Sequence, residues 1–194
     1  MAQKLRHPLH GGRVMSDSRR FELSWRERPQ EEASLFNPAF CGELLVRALV
    51  HYRKQTSSVR PLAQLSGAMP LPYAFLIPPL ILHPGSRRAL PGKANTAFAS
   101  WAGENADMLS VLPDRVLRLR PVTREALLFL SQIHAITIDR EGMNLGQQPL
   151  RLGSKLTATT KEVEEIRRAA ALLGRWFASQ GESASVLQTM GVRV

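Results

Sequence analysis

The segment from Ala68 to Leu82 constrains the fold most. It carries no charged side chain, is apolar on every side, and contains Pro70, Pro72, Pro78 and Pro79. A helix that is hydrophobic all round has to be buried. A membrane span needs about 20 apolar residues and tolerates proline only with help from neighbouring helices. We therefore read this run as a fully buried helical segment, broken or kinked near Pro78-Pro79, with His83-Pro84-Gly85 ending it. The rest of the chain has to wrap around it, and 194 residues with 44% apolar content suffice for one domain with a real core.

Amphipathic helices are legible on both sides of that run. Asn37-Pro38 is a strong helix start: Asn caps free N–H groups and Pro suits the first helical position. The helix is expected from Pro38 to about Lys54, with Phe40, Leu44, Leu45, Ala48, Leu49 and Tyr52 inward. Cys41 lies beside that stripe as a small core residue. Residues 55–69 read as a linker from their Gln, Ser, Gly and Pro content. A short helix over 95–103 carries Phe98 and Trp101 inward, and Asn105 is a plausible cap for another. Arg115, Arg118 and Arg120 alternate with Val116, Leu117 and Leu119, as in an extended piece or a frayed helix end. Thr123 then caps a helix from Arg124 to about His134, which closes it as a C-terminal cap. A hairpin follows: Ile136-Thr137-Ile138, a turn at Arg140-Glu141-Gly142, and a return limb from Met143 to Leu152. Lys161 to Ser179 is the clearest helix, with Val163, Ile166, Ala170, Leu173 and Phe177 inward, an i,i+4 pair of Glu164 and Arg168, and Gly181 as its stop. A last helix runs from Ser183 to Met190 and ends at Gly191.

The fold class is thus mainly α with a small β-hairpin (α+β). A flexible basic arm covers residues 1–20 and a single compact domain residues 21–194. The domain has a helical N-terminal part, a winged-helix-like module at about 95–152, and C-terminal helices at 161–191.

No phosphate-binding glycine loop, metal-ligand spacing or Gly-x-Ser-x-Gly turn occurs. No catalytic residue, cofactor site or metal site is expected. One cysteine excludes a disulfide scaffold, and the polar, basic N-terminus has no apolar stretch that could serve as a signal core, so a cytoplasmic chain without membrane contact is expected.

Charge is the informative excess. Lys and Arg outnumber Asp and Glu by 26 to 16, a net +10, and no acid occurs between Leu44 and Gly103. Such a balance permits contact with nucleic acid or an acidic partner and does not choose between them. The candidate basic face consists of Arg87, Arg88, Lys93, Arg115, Arg118, Arg120 and Arg124. Charge reversal at Arg87 and Arg88 is expected to weaken association and leave folding nearly intact. A winged helix invites base readout by its third helix. That helix here has five apolar residues in a row, Ala126 to Leu130, where a reading helix needs polar side chains. Contact with protein, or with DNA through backbone charge alone, fits better. The alternative is a stand-alone winged-helix DNA-binding regulator, which would be a homodimer with a defined site.

Three segments taken together carry a resemblance: Asn37-Pro38-Ala39-Phe40-Cys41, Thr123-Arg124-Glu125-Ala126-Leu127-Leu128-Phe129, and Leu173-Gly174-Arg175-Trp176-Phe177. The close at Met190-Gly191-Val192-Arg193 belongs with them. In order and spacing the set resembles the middle component of bacterial three-component ABC systems, the group that includes Lamassu-type antiphage defence. The likeness runs from about Trp25 to Val194 and leaves out the basic arm. It implies a non-catalytic adaptor, similar to the accessory subunits of SMC complexes. Such a subunit joins an SMC- or Rad50-like ABC ATPase to an effector, often a nuclease, in defence against foreign DNA. An adaptor needs apolar anchors, and aromatic ones dominate interface energies. Trp25, Phe36 and Trp176 are the candidates, each equally readable as core.

Overall fold

A computed structural model of the chain describes residues 29–59, 67–153, 159–180 and 182–192. The expected basic arm, Trp25 and Gly181 lie outside the described residues. The elements are α1 (Gln30–Leu35), α2 (Pro38–Val59), α3 (Leu71–Ile81), α4 (Pro84–Ala89), α5 (Phe98–Glu104), α6 (Ala106–Ser110), α7 (Leu112–Gln132), β1 (Ile136–Ile138), β2 (Met143–Leu145), α8 (Lys161–Ser179) and α9 (Ser183–Thr189). The domain is mainly helical with one small antiparallel hairpin, as the sequence predicts.

The apolar run forms α3, and it is buried from Tyr73 through Ile81 apart from Phe75. Helices α2, α4, α7 and α8 pack around it. The break expected at Pro78-Pro79 does not come there: the helix continues to Ile81, and Leu82 N–H still reaches Pro78 O at 3.0 Å. Burial on all sides holds the last turn although two backbone donors are missing. Just before α3, Met69 exchanges both backbone hydrogen bonds with Met143, at 2.8 and 3.0 Å, which ties the run to the hairpin.

Helix α2 starts as expected, with Asn37 Oδ1 accepting from Ala39 N–H at 2.8 Å and Phe40 N–H at 3.4 Å. It runs past Lys54 to Val59, through the first part of the expected linker. The hydroxyls of Thr56, Ser57 and Ser58 donate back to carbonyls of Tyr52, Arg53 and Gln55, so these residues bond to the helix instead of breaking it. By length and composition alone the stretch Ala33–Ser58 is long and apolar enough to cross a membrane, a property it shares with buried core helices. Here its apolar side is packed against α8, α7 and α3.

The largest departure is α7. Residues 115–120 are neither extended nor frayed; they belong to a 21-residue helix. Leu112, Val116, Leu119, Val122, Ala126, Leu127 and Leu130 are all buried at helical spacing, a period hidden by the local Arg/apolar alternation. Pro121 lies inside it. Its missing N–H would have met the Leu117 carbonyl, on the solvent side. Thr123 is not a cap: it is buried, and its Oγ1 donates to Leu119 O at 3.2 Å. The order of three helices and a hairpin holds over 98–145, yet α7 packs chiefly on α2 and α3, so it serves the core of the whole domain.

Helix α7 ends in a Schellman turn. His134 takes the left-handed conformation at φ 55, with His134 N–H on Ser131 O and Ala135 N–H on Leu130 O. His134 thus closes the helix through its backbone. The hairpin pairs Ile136 with Leu145 and Ile138 with Met143, and its return strand stops at Leu145, short of the expected Leu152. Helix α8 has the predicted limits. Thr160 Oγ1 caps it by accepting from Val163 N–H at 3.3 Å. The predicted Glu164–Arg168 pair forms differently: Arg168 Nε donates to the Glu164 backbone carbonyl at 3.4 Å. Helix α9 ends on Gly191 in a second Schellman turn, at φ 65.

Helices α2 and α8 form the most extensive pair. Their backbones come close at Gly174, where an added Cβ would lie 2.8 Å from the Ala48 carbonyl carbon and nearer still to its oxygen. A three-residue ion cluster spans the same pair. Glu43 accepts from Arg47 at 2.7 Å and from Arg167 at 2.7, 2.9 and 3.0 Å. Burial alone would push the Glu43 carboxyl up; the hydrogen bonds and charges of Arg167 and Arg47 outweigh it and hold the carboxyl below its usual range.

Candidate functional site: a basic groove and an apolar helix face

The aromatic candidates separate. Trp176 is fully buried, so it is a core residue and offers no anchor on the surface. Its ring stands 4.8 Å from that of Trp101 and 5.3 Å from that of Phe98, and its indole N–H donates to Thr96 O at 2.8 Å. Sequence spacing could not show this, because the partners come from a segment some 75 residues away. Phe36 is half-buried against the core.

The seven basic candidates do not share one face. Arg87 and Arg88 lie on α4, Lys93 on the loop after it, and the other four on α7. Arg115 adjoins α4, because its guanidinium donates to Ser86 Oγ. Arg124 lies nine residues further on, about 180° round the same helix, and is exposed. Arg120 is half-buried, and its Nε is buried without a hydrogen-bond partner. Arg118 is exposed. Arg87 is a structural residue: its side chain is only 9% exposed, donates to Ile81 O at 2.7 Å, and pairs with Glu162 at 3.1 Å. It clamps α3, α4 and α8 together. The expectation that reversing its charge would spare the fold is therefore overturned for Arg87; Arg88, exposed on the next position, has no such ties among the described residues.

What the structure brings together instead is a groove of about 740 Å³ between α4 and α8. Arg88 lies on one side and Arg168 and Arg175 on the other. Leu90, Ala169 and Leu172 supply an apolar wall, and Glu165 stands among the arginines. The two α8 arginines were missed by sequence reading. They recur at i and i+7 on one helix face, a signal that was available but had no partner surface until α4 was placed. Arg175 Nη1 lies 3.3 Å from His51 Nδ1. Burial, with the charges of Arg175, Lys54 and Arg47, holds the His51 imidazole below its usual value, so it stays neutral and adds no charge.

A second surface is apolar. The exposed large hydrophobic side chains among the described residues are Val111 at 48%, Leu117 at 57%, Leu128 at 63% and Ile138 at 42%. Leu117 and Leu128 lie on α7, Val111 immediately precedes it, and Ile138 lies at the end of β1. Leu117, Pro121, Arg124 and Leu128 follow one line along the solvent side of the helix, with Arg118 to one side of it.

Chemistry is sparse. Among the described residues no three His, Cys, Asp or Glu side chains gather so as to hold a metal ion. Cys41 is buried, and burial, with a smaller push from the Glu125 charge, raises its thiol to about 12.

The described residues thus form a small helical domain with an arginine-lined groove and a partly apolar outer face on α7. Residues 25–194 match the family model described as ABC-three component (ABC-3C) system Middle Component 3, and the chain belongs to that family. It is the middle component of a three-component ABC system and associates with the other components of such a system. No curated protein and no solved structure matches it.

Proposed function

We propose that this middle component is a non-catalytic connecting subunit. It joins an SMC- or Rad50-like ABC ATPase to an effector of nuclease type, within a cytoplasmic Lamassu-type complex that acts against phage and plasmid DNA. The observation that carries the reading is the outer side of α7. Helix α7 and its first flanking residue carry three of the four large exposed apolar side chains among the described residues, Val111, Leu117 and Leu128; the fourth, Ile138, lies on β1. Such a concentration marks a surface that a partner covers. The winged-helix-like order of helices and hairpin over 98–145 supports a role like that of SMC accessory subunits, with α7 turned to protein and not to base edges. Its solvent side presents Leu117, Pro121 and Leu128, and on that line Arg124 is the one side chain of a base-reading type.

The test is a tagged pull-down from cells carrying the whole native operon, followed by mass spectrometry and sizing. Wild-type protein should bring down a coiled-coil ATPase and a second, effector-like protein. The double variant Leu117→Asp with Leu128→Asp should keep its fold and lose at least one of them. Recovery of the wild-type chain alone, as monomer or homodimer, would refute the reading and favour a stand-alone DNA-binding regulator.

A further inference from the structure

We propose that the groove between α4 and α8 receives an acidic protein segment that also carries apolar side chains. The inference rests on a different surface from the α7 face, so each reading can fail alone. The charge argument comes first. Of the arginines lining the groove, Arg87 is committed to Ile81 O and Glu162, with Glu165 at 3.9 Å. Arg88 has no hydrogen bond or ion pair with the described residues, Arg168 donates only to a backbone carbonyl, and Arg175 faces the neutral ring of His51. Three guanidinium groups thus border one groove without a carboxylate partner among the described residues: Glu162 and Glu165 are turned to Arg87, and Glu164 meets Arg168 only through its backbone carbonyl. A carboxylate can take a guanidinium through two parallel hydrogen bonds, which is the interaction these groups lack.

The shape argument chooses the kind of anion. Leu90 on the α4 side, and Leu172 with the largely buried Ala169 on the α8 side, give the groove walls an apolar part beside the arginines. A phosphodiester backbone buries nothing against such a wall, and Glu165 repels it. A peptide with acidic residues on one side and Leu- or Phe-like residues on the other satisfies both parts of the groove: area is removed from water at the wall, and carboxylates meet the arginines. The sequence agrees, since α4 and the loop after it belong to a stretch of sixty residues without a single acid, 44–103.

Fluorescence anisotropy with the full chain tests this. Three labelled probes are used. The first is a helical peptide of about 18 residues, roughly five turns, with Glu and Asp on one side and Leu at i, i+4 and i+7 on the other. The second has the same composition reordered so that its leucines share no face. The third is a 20-base-pair duplex, about two turns of DNA. The first probe should bind at least about tenfold more tightly than the second. The variant Arg88→Glu with Arg168→Glu should weaken it by about tenfold or more, and Leu172→Asp likewise. The neutral pair Arg88→Gln with Arg168→Gln should give an intermediate loss, and circular dichroism melting verifies that each variant is folded. Equal binding of the first two probes would overturn the proposal, because charge alone would then suffice. So would duplex binding that is tighter than the peptide's and is lost in the same variants, or no binding of the first probe.

Discussion

Replacing Gly174 by Ala isolates the contact on which the α2–α8 pair depends. In an exposed helix the change would stabilise, since Gly in a helix interior costs about 1 kcal/mol relative to Ala. At this site the new Cβ would lie 2.8 Å from the Ala48 carbonyl carbon, 3.0 Å from its Cα, and closer again to its oxygen. These are backbone atoms of α2 and cannot rotate away, so the helices must separate. The ion cluster of Glu43, Arg47 and Arg167 and the core between them would be pulled apart with them. Overpacking of this kind costs about 1–3 kcal/mol, and the upper end applies where backbone has to shift. Set against the propensity gain, the net loss is about 1–2 kcal/mol, or roughly 2–8 °C in Tm for a domain of this size. Gly42→Ala is the control. Its Cβ would meet Leu130 Cδ2 and Cγ at 3.1 Å, atoms of a side chain and not of a backbone. A shift of a few tenths of an ångström relieves it, so Gly42→Ala should fall within about 0.5 kcal/mol of wild type. Urea unfolding followed by circular dichroism reads both. A Gly174→Ala chain as stable as Gly42→Ala would refute the close-approach argument.

Other outcomes follow from the same contacts. Glu43 has a lowered folded pKa, so its contribution to stability is full above the unfolded carboxyl value of about 4.3 and fades as pH falls through the folded value. Glu43→Gln should therefore destabilise at neutral pH and show a shallower loss between pH 5 and pH 2, on the order of that acid window; parallel stability curves for variant and wild type would contradict it. Cys41, with its thiol pushed up to about 12, should resist a disulfide reagent in the native protein and react fully once urea unfolds it. Fast native-state labelling would contradict its burial. Leu130→Ala should cost about 2–5 kcal/mol, because Leu130 is fully buried between α7 and Gly42 of α2. A much smaller loss would mean that the site collapses around the cavity.

Local signals carried the parts of this protein that depend on near neighbours in sequence. The Asn37 cap, the limits of α8, the hairpin, and the burial of an all-apolar proline-containing run each follow from a few adjacent residues. The sequence also carried the family, through motifs whose structural roles are now visible. Asn37-Pro38 starts the core helix, Gly174 admits α2, and Trp176-Phe177 fill the centre. Misreadings arose where a distant partner overrode a local pattern. Arg/apolar alternation at 115–120 looked extended, but burial against α2 and α3 made it helix. Thr123 looked like a cap, but a preceding helical turn gave its hydroxyl a carbonyl to bond. Trp176 was readable as anchor or core until Thr96, Phe98 and Trp101 were placed around it. Site assembly belongs wholly to the tertiary level. Arg88 and Arg168 are eighty positions apart, and only the docking of α4 on α8 makes them opposite walls of one groove. Side-chain type and helical period are written along the chain, whereas which faces meet is settled by how all the helices share one buried centre, and no single segment contains that information.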